Sequence, residues 1–131
     1  MTECVRILVV EDEALIEQLV VSGLEDAGYQ ISIADNAEDA IAMLEADGAD
    51  YRAVVTDINL APQRLTGWDV AKRARELTAD IPIIYMTGAS NHEWTSSGVP
   101  NSILIAKPFA MGQIVTAVSQ LLNASSTGLH E

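Results

Sequence analysis

The 131-residue chain reads as one α/β domain, a parallel sheet with helices on both faces. Two observations carry that reading. Short apolar runs of strand length alternate five times with segments at helical spacing. Several of the runs are continuously apolar, the pattern of strands buried on both faces. A third bounds it: 131 residues, 49% of them hydrophobic, suit one sizeable core and leave no room for a second domain of ordinary size.

Ile7 to Val10 is the first apolar run. A helix follows over about Ala14 to Ala27, with Leu15, Ile16, Leu19, Val20 and Leu24 at helical spacing and Gly28 as its stop. Gln30 to Ala34 is the second strand, Ile31 and Ile33 alternating. Asn36 is placed to cap the next helix, whose face is Ala37, Ala40, Ile41 and Leu44 and which Gly48 ends. The third strand is Ala53 to Asp57. A loop through Pro62 and Gly67 leads to a helix carrying Trp68, Ala71, Ala74, Arg75 and Leu77. Pro82 opens the fourth strand, Ile83 to Met86, which runs into Thr87 and Gly88. Ala89 to Asn101 is poor in helix formers, so only a short or irregular helix is expected there. Ile103 to Ile105 is the fifth strand. The last helix spans about Met111 to Leu122 through Ile114, Val115, Val118, Leu121 and Leu122, and residues 124–131 read as a frayed, flexible tail.

Charge narrows the function. Nineteen acids against seven Lys plus Arg give a formal net charge of −12, which repels a phosphate backbone and argues against direct nucleic-acid binding. No apolar run approaches the roughly 20 residues of a membrane span. The opening MTECVR lacks a signal-peptide layout, so a soluble, cytoplasmic protein is expected, without membrane insertion. The single cysteine, Cys4, excludes an intrachain disulfide and reads as a small residue at the core's edge. His92 and His130 lie in unrelated segments, and neither reads as a ligand. Trp68 and Trp94 read as packing or surface groups.

Open parallel sheets bind ligands beyond the carboxyl ends of their strands, at the switch point of strand order. The polar residues there are Glu11, Asp12 and Glu13 after strand one, Asp57 and Asn59 after strand three, Thr87 after strand four, and Lys107 with Pro108 after strand five. Each motif alone has a plain explanation: a charged helix start, a turn, a strand breaker. Together, Glu11, Asp12 and Asp57 would converge in one cleft. Carboxylates that close raise one another's pKa unless a cation intervenes, and a hard divalent ion answers that need.

Val9-Val10-Glu11-Asp12-Glu13, Val55-Thr56-Asp57-Ile58-Asn59, Met86-Thr87-Gly88 and Ile105-Ala106-Lys107-Pro108-Phe109 resemble, in order, the motifs of response-regulator receiver domains. The resemblance covers about residues 5 to 122, placing the domain at 1–123. It implies a flavodoxin-like (βα)5 fold with a five-stranded sheet of order 2-1-3-4-5. It also implies that Asp57 is the phosphoacceptor nucleophile. Mg²⁺ (or Mn²⁺) would be held by Asp12, Asp57 and the backbone carbonyl of Asn59, with Glu11 acting mostly through water. Lys107 and Thr87 would meet the phosphoryl oxygens. The family's cis bond between lysine and proline would fall at Lys107–Pro108.

Three departures from the pattern stand out. Glu11 occupies the place of a more usual aspartate, keeping the charge with longer reach. The loop from Asp57 to Gly67 looks about two residues longer than the common form. Leu104 replaces the aromatic usual three residues before the lysine, so no ring on strand five can swing inward. Tyr85, two residues before Thr87, shares its strand face. Tyr85-Met86-Thr87-Gly88 partly resembles the Phe-Ala-Thr-Gly motif of a receiver subgroup that also lacks that aromatic.

The expected function is a stand-alone receiver, not an enzyme. It would be phosphorylated by a histidine kinase or histidine phosphotransfer protein and would signal by binding a downstream protein target. An Asp-nucleophile phosphatase of the haloacid-dehalogenase kind would want a second aspartate where Asn59 stands. A P-loop enzyme would want a Gly-rich loop that is missing. A receiver-like module acting without phosphorylation is disfavoured by the intact Asp12, Asp57, Thr87 and Lys107.

Overall fold

The computed structural model describes residues 5–47, 50–58, 65–88, 98–100, 102–107 and 111–129. Five strands build one sheet: β1 (Arg6–Val10), β2 (Gln30–Ala34), β3 (Tyr51–Asp57), β4 (Ile83–Thr87) and β5 (Ile103–Ala106). All pairings are parallel and the spatial order is β2-β1-β3-β4-β5. Strand order reverses beside β1, so the ends of β1 and β3 flank the crevice where such sheets bind ligands.

Four helices among the described residues cover the faces: α1 (Ala14–Asp26), α2 (Ala37–Asp47), α3 (Gly67–Leu77) and α4 (Met111–Leu129). Because successive strand residues point to opposite faces, the apolar runs feed two cores. Leu8, Val10, Val54, Ile83 and Tyr85 pack with Ala40, Leu44, Val70 and Ala74 from α2 and α3. Ile7, Val9, Ala53, Val55, Ile84 and Met86 pack with Val20, Leu24, Ile114 and Val118 from α1 and α4. Ile7 to Val10 are fully buried. Each such side chain contributes roughly 1.5–3 kcal/mol of transfer free energy.

Local signals set the element ends. The Asp39 amide donates to Asn36 Oδ1 at 2.8 Å, the cap expected of Asn36. Gly28 has φ 101° beyond α1, and the Tyr29 amide reaches back to the Leu24 carbonyl at 3.1 Å. Tyr29 then ties its hydroxyl to Ser119 Oγ on α4 at 2.9 Å.

The structure corrects some boundaries. β3 begins at Tyr51 rather than Ala53, and α3 begins at Gly67, the expected end of the preceding loop. The reason is a capping box: the Thr66 amide donates to Asp69 Oδ2 at 2.8 Å, and the Thr66 side chain receives the Asp69 amide. α4 continues to Leu129, past the expected end at about Leu122 and into the segment expected to be a flexible tail. A nucleated helix propagates at little cost through Asn123 to Thr127, where no proline or glycine intervenes. Gly48 and the segment from Ala89 to Ser97 lie outside the described residues.

Candidate phosphoacceptor and metal site

β1 ends at Val10, so the chain leaves the sheet at Glu11 and α1 starts only at Ala14. The Glu11 amide is held by the Ala34 carbonyl at 3.1 Å, which extends the sheet by one rung and turns the side chain into the crevice. Glu11 is fully buried, Asp57 is 4% exposed and Asp12 is exposed. These three carboxylates each bring an oxygen within 4.8 Å of the others.

Lys107, just past β5, crosses to this group. Its Nζ donates to Glu11 Oε1 at 3.2 Å and to Asp57 Oδ2 at 3.1 Å, and lies 3.8 Å from Glu13 Oε1. The Lys107 amide donates to the Thr87 carbonyl at 2.6 Å, which fixes the lysine to the end of β4. Thr87 is 1% exposed. Asp57 closes β3, where the Ile58 amide is bound to the Met86 carbonyl at 3.0 Å. Of the residues singled out in the sequence, Glu11, Asp12, Asp57 and Lys107 thus come together, with Thr87 joined to Lys107 through the backbone. Asn59 and Pro108 lie outside the described residues.

Two contributors were not legible in the sequence. The Glu13 amide donates to Glu11 Oε2 at 3.0 Å, so the acidic run folds back on itself. Gly67 brings α3 against the end of β3, its amide on the Ile58 carbonyl at 2.9 Å. A glycine at the end of a long loop is the signal in the sequence, but it carries no sign of the contact with β3.

The electrostatics follow from burial. Desolvation pushes the Glu11 carboxyl up to about 7, aided by the charge of Asp57. The Glu13 amide and Lys107 pull the other way. Burial alone would lower the Lys107 ammonium, but Asp57 and then Glu11 outweigh it and its pKa is raised. One ammonium therefore faces more carboxylate than it neutralises. That donor set, oxygen-rich with surplus negative charge, fits a hard divalent cation.

A consequence for stability follows. Glu11 is raised from its unfolded value of 4.5 to about 7, so its favourable contribution is full below 4.5 and is lost as pH rises through 7. Lys107, raised as well, keeps its contribution across this range. The urea midpoint of the metal-free protein should fall from pH 5 to pH 8. Glu11→Gln should flatten that slope, and an unchanged slope in the variant would overturn this account of Glu11.

The fold and these residues define an acidic, lysine-bearing strand-end site on a doubly wound sheet. The chain belongs to the response regulator receiver domain family, whose pattern matches residues 7–119. A crystal structure of a response regulator receiver protein from Sinorhizobium medicae WSM419 is 46% identical, covers 93% of this chain and 97% of that one, and superposes with a TM-score of 0.89. The response regulator receiver protein CpdR of Brucella abortus (strain 2308) is 30% identical over 124 residues, 92% of this chain and 98% of CpdR. The transcriptional regulatory protein CusR of Escherichia coli (strain K12) is 27% identical over 128 residues, 96% of this chain but 55% of CusR. The chain thus spans about half the length of CusR and other curated relatives like it. The chain is a receiver domain of two-component signalling, a family whose members act as phosphoacceptor switches on an aspartate. Receiver domains bind Mg²⁺ at an acidic pocket, and Glu11, Asp12 and Asp57 form an acidic group here. Among the described residues, no helix is long and apolar enough to cross a membrane.

Proposed function

We propose that this chain works as a stand-alone, cytoplasmic receiver that takes a phosphoryl group on Asp57 and signals by binding another protein. The observation carrying this reading is the shared hold of Lys107 on Asp57 and Glu11, beside Asp12, in a chain of the receiver family. The donor is the phosphohistidine of a histidine kinase or histidine phosphotransfer protein. An Asp57 carboxylate oxygen attacks phosphorus, the P–N bond to imidazole breaks, and the imidazole leaves as a neutral ring once protonated. The product is an acyl phosphate.

Asp12, Asp57 and the Asn59 carbonyl would hold Mg²⁺ or Mn²⁺, with Glu11 acting mostly through water, and the ion would supply charge neutralisation for the transferring oxygens. Lys107 is already positioned on the acceptor and meets a phosphoryl oxygen without searching for it. Thr87 donates its hydroxyl to another. The chain's own turnover is at most self-phosphorylation and self-dephosphorylation, so it is a switch rather than an enzyme.

Labelling with a small phosphodonor tests the reading. Stable, Mg²⁺-dependent capture is expected. Rapid phosphate release would favour a phosphatase, and no incorporation would favour a module that works unphosphorylated. Asp12→Ala should weaken Mg²⁺ by more than about 10-fold and abolish labelling, whereas Glu11→Ala should do less. Trp68 emission in a Trp94→Phe background reports the titration. Wild-type Mg²⁺ affinity in Asp12→Ala would remove Asp12 from the ligand set.

A further inference from the structure

Tyr85 occupies an unusual junction. It is fully buried in the middle of β4, between Thr56 of β3 and Leu104 of β5 in the sheet register. Its ring meets Trp68 of α3, centroids 4.7 Å apart and planes tilted by 57°. Its hydroxyl accepts the Val99 amide at 3.1 Å, in the segment that leads into β5. Burial pushes that hydroxyl's pKa up, so it stays protonated at neutral pH. Arg75 of α3 reinforces the same segment, donating through Nη1 to the Pro100 carbonyl and through Nε to the Ile81 carbonyl, both at 2.7 Å. The Ser102 hydroxyl closes back on the Val99 carbonyl at 2.7 Å.

Two routes from Asp57 meet at this ring. Thr87 lies two residues further along β4, on the same strand face as Tyr85. Gly67 is bound to the Ile58 carbonyl next to Asp57, and Trp68 follows it directly in the chain. A shift at the acceptor therefore reaches Tyr85 both along β4 and through the first turn of α3. Leu104 gives β5 no hydroxyl at the matching level, so the polar contact rests on β4.

We infer that the Tyr85 hydroxyl is a latch that holds the Val99–Pro100 segment to β4 and α3 in the unmodified protein and lets it go when Asp57 is modified. This rests on Asp57 being the acceptor. Signal then leaves through α3 and residues 98–100 together, because Arg75 and Trp68 couple the helix to the same segment. Phenylalanine at 85 would fill the core equally well and could not latch.

The test is residue-resolved hydrogen exchange at the Val99 amide, clean because Pro100 has none. In the full chain, beryllofluoride with Mg²⁺ should speed Val99 exchange about tenfold. Tyr85→Phe should show the faster rate without modification, and little further change with it. Arg75→Gln, which leaves the hydroxyl in place and removes the bond to the Pro100 carbonyl, should also speed exchange at Val99 and covers the case of a poorly folded Tyr85→Phe. Unchanged Val99 exchange on modification of the wild type, or in both variants, overturns the latch. Acetyl phosphate incorporation, measured in parallel by mass spectrometry, separates the two levels. Labelled Asp57 with an unmoved Val99 amide refutes the latch alone, and no incorporation refutes the acceptor reading and the latch with it.

Discussion

Asp57→Asn is expected to reduce phosphate incorporation from a small phosphodonor by at least about 10³-fold, to background. The amide is nearly isosteric with the carboxylate but cannot attack phosphorus to give an acyl phosphate. Its environment argues that the loss would be chemical rather than structural. Asp57 is 4% exposed and its charge is one of the influences raising Glu11, so removing it relieves like-charge crowding while Lys107 keeps Glu11 as a partner. The urea midpoint should therefore not fall, and the Mg²⁺-free protein should be at least as stable at pH 8. Base-labile phosphate found in the variant at the wild-type level, or mapped to another residue in the wild type, would remove Asp57 from its assigned role. Asp→Asn changes at exposed acids such as Asp26 or Asp80 serve as controls and should label normally.

The fold was legible because its signals are redundant. Each buried strand is a short apolar run, each helix carries a spaced face, and in a parallel sheet every strand end falls on one edge. The polar residues that follow the runs, Glu11, Asp12, Asp57, Thr87 and Lys107, therefore fall together at that edge. What escaped the sequence depends on contacts between distant segments. Glu11-Asp12-Glu13 reads as an exposed helix start, yet Glu11 is fully buried because its backbone continues the β1–β2 ladder to Ala34. Thr66 and Asp69 have the spacing of a capping box, but a loop reading through Pro62 to Gly67 hid it. Helix α4 outruns its apolar stripe because propagation needs no further burial once the helix has formed. Tyr85 was placed correctly beside Thr87 by alternation, whereas its bond to the Val99 amide depends on a segment 14 residues away.

Gly67→Ala should be the most damaging small change outside the charged cluster. Alanine is favoured over glycine inside a helix by roughly 1 kcal/mol, so propensity alone predicts a gain. The surroundings reverse that sign. A Cβ on Gly67 would collide with the Asp57 carbonyl oxygen and sit 2.8 Å from the Ile58 Cα and 2.9 Å from the Asp57 carbonyl carbon. These are backbone atoms at and just past the end of β3, so no side chain can swing aside. The Gly67 amide also holds the Ile58 carbonyl at 2.9 Å, which keeps α3 from backing away without losing that bond. Overpacking of this kind costs about 1–3 kcal/mol, and more where only backbone can yield. What yields is the peptide that carries Asp57, so the rate of labelling should fall with stability, on the order of 10-fold or more. Gly112→Ala supplies the contrast. A Cβ there meets nothing within 4 Å, in the first turn of α4, and should raise the urea midpoint slightly. A Gly67→Ala protein with unchanged midpoint and unchanged labelling rate would mean that α3 can retreat from β3 freely, and that its close approach does not position Asp57.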